Sequence, residues 1–230
     1  MGAGRRHDHL AFLLSETVLA VLVIGLALAF RRHPGPLAVD LDLEVGVQNV
    51  LLPHPFLREP VEAISTLDFA LPVVITLSII AAIFLLLRRW LDAIIVPIAA
   101  GVSGLGNTAI KDWVRRPRPS GHGIHVVQHI TTSFSFPSGH VTYAVAVYGL
   151  FLYFSTQIRR PIPLVLVWTI RAVLVVLILL MPVSRVLEGE HWPSDTLGGA
   201  LEGLFWLVIF AHVYLWARHR WPRLLARDER

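Results

Sequence analysis

The sequence contains no cysteine and few charged residues, and each shortage excludes a class of protein. Without cysteine, the 230-residue chain has no disulfide framework, no thiolate metal site and no cysteine nucleophile. Charged residues make up 16% of the chain, whereas soluble domains carry about a quarter. Hydrophobic residues make up 55% and the mean hydropathy is +0.64, so the composition indicates a membrane protein.

Six apolar runs approach the length needed to cross a bilayer, roughly 18 or more residues. They predict an all-α, polytopic fold with six transmembrane helices in a single domain over residues 1–230. The runs cover residues 10–30, 66–87, 91–110, 138–158, 162–183 and 194–217. The first run has a possible cleavage site for a signal peptide at residues 27–29. Its length and the interruption by Glu16 favour a helix that is retained.

Residues 31–65, between the first two runs, form a polar connector. Four aliphatic residues between positions 41 and 47 alternate with polar or small ones, which is a strand-like period. Because a lone strand is not stable by itself, we expect a short interfacial helix or irregular packing here.

Small residues recur four apart in two of the later runs, a spacing that favours close contact between helices. These pairs are Ala100 with Gly104 and Gly199 with Gly203.

The distribution of arginine predicts the orientation in the membrane. Six spans place both termini on one side, together with two short connectors that contain Arg88, Arg89, Arg159 and Arg160. By the positive-inside rule that side is cytoplasmic. The connectors 31–65, 111–137 and 184–195 then share the extracytoplasmic face. Since the positive charges lie at the ends of apolar segments and not on one soluble face, no nucleic-acid partner is predicted.

The segment after the third run carries cations on this outer face, where a basic flank has no role in topology. Lys111 and Arg118 are separated by six residues, and Arg118 lies between Pro117 and Pro119. The prolines restrict the backbone, which favours a rigidly held guanidinium. A planar guanidinium is suited to bidentate phosphate contact.

The fourth run begins with Pro137-Ser138-Gly139-His140. Proline is favoured at the first position of a helix, so the amides that follow it would have no intrahelical acceptor. Such a helix start binds anions through its amides and its dipole. An ordinary helix start with an incidental histidine is the alternative.

The third group lies before the sixth run. Pro193 predicts the first residue of a helix, with Asp195 in its first turn and His191 just ahead. At this separation Asp195 can accept a hydrogen bond from one imidazole nitrogen and leave the other free to attack, as a nucleophile and its orienting group do. Arg185 offers a further phosphate contact.

These three groups together resemble the three-part signature of the type 2 phosphatidic acid phosphatase (PAP2) superfamily. The parts are Lys111-x6-Arg118-Pro119, Pro137-Ser138-Gly139-His140 and Ser184-Arg185-x5-His191-x3-Asp195. They stand in the family's order and spacing. Six membrane helices with outward-facing motifs are similar to its lipid-phosphatase branch.

The resemblance implies the role of each signature residue. The phosphate would be held by Lys111, Arg118, Ser138, Gly139 and Arg185. No metal and no cofactor are implied.

Three further residues would carry the chemistry by the same resemblance. His191 would attack phosphorus to form a phosphohistidine, Asp195 would orient it, and His140 would protonate the leaving oxygen. The substrate would be a lipid phosphate or diphosphate, with a polyprenyl diphosphate such as undecaprenyl diphosphate first. Phosphatidic acid, diacylglycerol diphosphate and phosphatidylglycerol phosphate are the alternatives.

Two other classes of protein compete with this interpretation. An anion transporter would place its charges within several spans, whereas here they gather at the outer connectors. A vanadate-dependent haloperoxidase shares the signature, but those enzymes are soluble.

Some polar residues have no assigned role in the sequence. Residues His122, His125 and His129 are spaced to share a helix face, but a flexible substrate-facing loop is favoured over a metal site. Arg171, in mid-run, predicts an intramembrane pair with Glu16, Asp68 or Glu202. Glu188 and Glu190 are expected to be solvated, or alternatively to tune the site.

Overall fold

A computed structural model describes residues 3–68, 70–121, 123–126, 133–157 and 163–221, whose regular structure is entirely helical. The first five helices are α1 (Ala3–Arg32), α2 (Ala38–Leu51), α3 (Pro55–Ser65), α4 (Ala70–Leu86) and α5 (Trp90–Val114). The others are α6 (Gly139–Tyr143), α7 (Gly149–Ser155), α8 (Leu164–Leu187) and α9 (Pro193–Arg220). A π-helical turn, Ala144–Tyr148, joins α6 to α7.

Four helical segments in the described part are long and apolar enough to cross a membrane: His9–Arg32 of α1, and the whole of α5, α8 and α9. The other two predicted spans are shorter helical segments. The second is α4, which has 17 residues because it starts after a 3-10 turn, Thr66–Asp68, and ends before Arg88 turns left-handed at φ 58°. The fourth is the segment from α6 to α7, residues 139–155.

The connector of residues 31–65 forms the helices α2 and α3, so the expected helix is present. The strand-like alternation of residues 41–47 lies within α2 and does not correspond to a strand. The side chains of Asp40, Glu44 and Gln48 are buried, while Val39 and Leu43 are exposed. Positions four apart share a face of a helix. Helix α2 therefore presents a polar stripe inward, towards α8 and α9.

Helix α1 packs along α9 through polar and aromatic contacts. His212 Nδ1 lies 2.9 Å from Glu16 Oε1, and its Nε2 lies 2.9 Å from His9 Nδ1. The ring of Phe12 stacks on His212 at 4.8 Å. Glu16 is therefore paired with α9 and not with Arg171. Arg171 instead donates to the hydroxyl and the carbonyl of Ser155.

Glycines of α9 allow the segment containing α6 to approach its backbone. A Cβ on Gly199 would lie 2.5 Å from the Ser138 carbonyl oxygen, and one on Gly203 would lie 2.6 Å from Val145 Cβ. The predicted close contact at this pair is confirmed. The contact predicted at Gly104 is wrong, because no atom of the described residues lies within 4 Å of a Cβ built there.

The three signature segments meet at one end of the helices. Helix α5 ends at Val114, with a left-handed Arg115 as its C-cap, and α8 ends at Leu187. Helix α9 begins at Pro193, as predicted. Ser184 and Arg185 lie in the last turn of α8, so the connector to α9 is shorter than predicted. Gly189 turns it with φ +67°, where a Cβ would also lie 2.5 Å from the His125 carbonyl oxygen.

Candidate active site

Three cationic side chains converge on the end of the bundle where α5, α8 and α9 meet. The Lys111 ammonium, in the last turn of α5, donates to the carbonyls of Phe134 and Ser135 at 2.8 and 3.3 Å. These bonds tie α5 to the chain just before α6. Arg118 approaches from the proline-flanked segment after α5, and Arg185 from the last turn of α8. The cations form a site suited to an anion.

Arg118 is held on two sides. Its Nε and Nη2 donate to the carbonyl and the hydroxyl of Ser133 at 3.0 and 2.8 Å. Its Nη1 donates to the main-chain oxygen of Glu190 at 2.6 Å and to Glu190 Oε2 at 2.9 Å. The same nitrogen lies 3.4 Å from His191 Nε2. The guanidinium therefore stands directly beside the predicted nucleophile.

Arg185 and the two glutamates that follow it form a buried ionic cluster. Arg185 Nη1 pairs with Glu188 Oε2, and its Nη2 lies 3.8 Å from Glu190 Oε2. Glu188 also accepts a hydrogen bond from the Ser65 hydroxyl at the end of α3. The prediction that both glutamates are solvated is wrong, since their pairing with the arginines offsets the cost of burial.

His191 is buried in the connector between α8 and α9, with 2% of its surface exposed. Burial lowers the pKa of His191 well below its usual 6.5, and Lys111, Arg118 and Arg185 lower it further because like charges oppose protonation. The imidazole is therefore neutral at pH 7, and one of its nitrogens has a lone pair.

Asp195 caps the start of α9 and is held by three donors. Its Oδ2 accepts the amide of Trp192 at 3.0 Å and the Ser135 hydroxyl, and its Oδ1 accepts Arg116 Nη1 at 2.6 Å. His191 Nδ1 lies 3.8 Å from Oδ2, too far for a hydrogen bond. The carboxylate is therefore close enough to interact electrostatically with a charged imidazole, but the direct hydrogen bond that the spacing predicted is absent.

Arg116 connects Asp195 to α2, and the sequence did not reveal this role. Its guanidinium is fully buried, lies 2.9 Å from Asp40 Oδ2 and covers the ring of Phe30 at 3.8 Å. Asp40 in turn accepts the amide and the hydroxyl of Ser194 at 2.8 Å each. The only signal available was a second arginine beside Arg115 on a face where basic residues have no role in topology.

The start of α6 faces the site. The helix begins at Gly139 with Ser138 as its N-cap, so Pro137 lies two residues before the first helical position, which the sequence had predicted for it. The Ser138 amide donates to the Asp195 carbonyl oxygen at 3.0 Å and is not available to an anion. The buried Ser138 hydroxyl has no hydrogen-bond partner among the described residues. A Cβ on Gly139 would come within 3.1 Å of Asn107 Oδ1.

A polar network supports α6 from below. Asn107 Nδ2 donates to Glu202 Oε2 at 2.7 Å and lies 3.1 Å from the Thr142 hydroxyl. Thr142 also lies 3.0 Å from Glu202 Oε2. The network links α5, α6 and α9 one turn beneath the signature residues. Glu202 was considered in the sequence only as a partner for Arg171.

Glu44, the central residue of the α2 stripe, is fully buried. Neither carboxyl oxygen has a hydrogen-bond partner among the described residues. Burial raises the pKa of Glu44 to about 8, and the negative charges of Asp195 and Asp40 contribute to the rise. A carboxyl of this pKa is largely protonated at pH 7.

Of the histidines in the 111–137 connector, His125 lies in the described part, whereas His122 and His129 lie outside it. The side chain of His125 is exposed, while its main chain bonds to Gln48 on α2 at 2.7 and 2.9 Å. Its contribution to the fold is thus through the backbone. Of the partners considered for Arg171, the side chain of Asp68 also lies outside the described residues.

Comparison with known sequences identifies relatives across most of the chain. Residues 92–219 match the model of the PAP2 superfamily. Phosphatidylglycerophosphatase B of Bacillus subtilis is 33% identical over 200 residues, which are 83% of this chain and 92% of that protein. Decaprenylphosphoryl-5-phosphoribose phosphatase of Mycobacterium tuberculosis is 31% identical over 166 residues, which are 71% of this chain and 84% of that protein.

Solved structures share the arrangement of helices. The crystal structure of a transmembrane PAP2-type phosphatidylglycerolphosphate phosphatase from Bacillus subtilis superposes with a TM-score of 0.72 at 27% identity. The alignment covers 86% of this chain and 95% of that one. The Aquifex aeolicus protein LpxE gives a TM-score of 0.57 at 22% identity, over 76% of this chain and 96% of that one. The second likeness concerns the fold alone.

Proposed function

We propose that this chain, which belongs to the PAP2 superfamily and is a membrane lipid phosphatase, transfers the phosphate of its substrate first to His191 and then to water. The observation that carries the proposal is a buried, neutral imidazole whose Nε2 lies 3.4 Å from Arg118 Nη1, beside Lys111 and Arg185. A neutral nitrogen is nucleophilic, and the cations bind the phosphate that it attacks.

In the first step, the lone pair of His191 Nε2 forms a bond to phosphorus. The bond between phosphorus and the lipid oxygen breaks, and the leaving oxygen takes a proton from His140, which takes up that proton from solution when the negatively charged phosphate binds beside it. Water then attacks the phosphohistidine, the P–N bond breaks, and the water proton passes to His140. The products are the lipid alcohol and inorganic phosphate, and both histidines return to their starting states.

Asp195 acts in this scheme through its charge. The imidazole becomes positive while it carries phosphate, with its remaining proton on Nδ1. A carboxylate 3.8 Å from Nδ1 stabilises that charge. The three donors on Asp195 keep the carboxylate in position, so Arg116 and Ser135 are positioning residues for the reaction.

We propose a phosphate monoester on a lipid headgroup as the first candidate substrate. The names of both curated relatives specify such a phosphate, on phosphatidylglycerol in one and on a decaprenyl-linked ribose in the other. A polyprenyl diphosphate such as undecaprenyl diphosphate, which the sequence favoured, is the second candidate, with lipid phosphate as its leaving group. Phosphatidic acid and diacylglycerol diphosphate complete the panel.

The proposed orientation puts this chemistry at the extracytoplasmic face, with both termini in the cytoplasm. Arginine at the termini and at the connector with Arg88 and Arg89 supports it through the positive-inside rule. The site lies at helix ends, so a lipid tail can remain in the bilayer while its phosphate reaches Arg118.

The test is phosphate release by the purified protein in detergent, from each lipid of the panel, with and without EDTA. We expect release that survives EDTA and is lost in His191→Ala. The matched control is His125→Ala, which removes an exposed imidazole on the same face and should leave the rate unchanged. Acid-labile phosphate bound to the wild-type protein should be absent from His191→Ala. Release that persists in His191→Ala would refute the proposal, and an anion transporter would release none.

A further inference from the structure

A buried carboxylate shares the anion site with the three cations. Glu190 is 1% exposed, and its Oε2 lies 2.9 Å from Arg118 Nη1 and 3.8 Å from Arg185 Nη2. One carboxylate oxygen is thus shared by two guanidinium groups, where a phosphate oxygen would also bind. Its Oε1 is buried and has no hydrogen-bond partner among the described residues.

Glu190 competes for the same nitrogen that faces the nucleophile. Arg118 Nη1 has two hydrogens. Three acceptors surround it: the Glu190 carbonyl oxygen at 2.6 Å, Glu190 Oε2 at 2.9 Å and His191 Nε2 at 3.4 Å. A phosphate that approaches His191 must therefore bind Arg118 next to a negative charge that is already bound there.

The charges of the site limit how much negative charge it accepts. Arg118 and Arg185 bring two positive charges, Lys111 adds a third when its amine is protonated, and Glu188 and Glu190 bring two negative ones. A phosphate monoester carries about −1.5 to −2 at pH 7. A diphosphate adds a second phosphate with further negative charge and further acceptor oxygens. A carboxylate oxygen such as Glu190 Oε1 can only accept hydrogen bonds, so it offers those oxygens no donor.

We propose that Glu190 is a specificity-determining residue, which restricts the site to single phosphate groups and disfavours diphosphates. The proposal rests on the proposed function, since it concerns the substrate of the same site. On this proposal, the charge of Glu190 makes a lipid phosphate monoester a better substrate than a polyprenyl diphosphate.

The experiment compares two probes with the same tail, farnesyl phosphate and farnesyl diphosphate, for wild type, Glu190→Gln and Glu190→Asp. We expect wild type to show the higher kcat/KM on the monophosphate. In Glu190→Gln the ratio of diphosphate to monophosphate should rise at least about tenfold. One unit charge a few ångströms from another has a larger effect than this at the effective dielectric of a protein, so tenfold is a lower limit. Glu190→Asp keeps the charge, so its ratio should stay within about threefold of wild type.

A control for general loss of negative charge is Glu62→Gln, whose carboxylate pairs with Arg58 at 3.5 Å on α3. It should leave the ratio unchanged. An unchanged ratio in Glu190→Gln overturns the proposal, as does an equal rise in Glu190→Asp, which would show that the residue acts by shape. If Glu190→Gln does not fold, wild type alone decides, since a preference for the diphosphate overturns the proposal. Wild type inactive on every lipid phosphate would instead defeat the proposed function.

Discussion

Arg116 provides the sharpest test of how the site is held together. Its guanidinium is fully buried and lies 2.6 Å from Asp195 Oδ1 and 2.9 Å from Asp40 Oδ2. Arg116→Met keeps much of the volume over Phe30 but leaves two buried carboxylates without their cation. Removing one partner of a buried ion pair costs about 3–5 kcal/mol. For a chain of this size we expect Tm to fall by roughly 6–20 °C, at about 2–4 °C per kcal/mol.

The assay is thermal unfolding in detergent of wild type, Arg116→Met, Asp40→Asn and the double variant. Because Asp40→Asn removes one of the charges that Arg116→Met leaves unpaired, the two losses should not add. We expect a coupling free energy of about 1–3 kcal/mol. Arg115→Met, beside it in sequence but exposed, is the control and should change Tm little. Additive losses in the cycle, or an Arg116→Met protein as stable as wild type, would refute this account of the network.

Two further predictions concern the helix contact and the α2 stripe. Gly199→Ala places a Cβ 2.5 Å from the Ser138 carbonyl oxygen, so the start of α6 must shift. Because Ser138 and His140 move with it, phosphate release should fall at least about tenfold, as it does when a reacting group is misplaced. Gly104→Ala, in open space, should leave release unchanged, and equal effects would contradict the contact. The pKa of Glu44 is about 8 in the folded protein, whereas its ordinary value is 4.5. Between pH 4.5 and pH 8, the folded state therefore holds a proton that the unfolded state has lost. Stability should therefore fall as pH rises through this window, by about 1.4 kcal/mol per unit. Glu44→Gln has no such proton to lose, so the Tm of this variant minus the Tm of wild type should become more positive from pH 5 to pH 8. A Tm difference that does not change with pH would contradict the buried proton.

The outcomes at Glu188 and Glu190 show where sequence patterns lose information. In the sequence both are acidic residues in a polar connector, and such residues are usually solvated. They are buried because Arg185, in the last turn of α8, pairs with Glu188, and Arg118, from the segment after α5, pairs with Glu190. Arg118 is seventy-two residues from Glu190 in the chain, so no local pattern could indicate that these two residues pair.

Helix α2 shows a second limit. Its buried residues are the polar ones, Asp40, Glu44 and Gln48, while the aliphatic residues Val39, Leu43 and Val50 are exposed. A rule that places apolar residues inside would orient this helix backwards. The orientation follows from what it covers: Arg116 and Ser194 bind Asp40, and the carbonyls of His125 and Leu187 bind Gln48.

By itself, the sequence determined the all-α membrane fold and the approximate helix positions, because hydropathy and helix-start residues such as Pro193 act over one segment at a time. It also indicated that His191 and Asp195 lie near one another, since their spacing within one signature segment is local. Only the tertiary structure decided how those segments face each other: the 3.8 Å between His191 and Asp195, the hold of Arg116 on that carboxylate, and the entry of Glu190 into the anion site. These depend on the packing of α2, α5, α8 and α9, whose contacts join residues far apart in the chain.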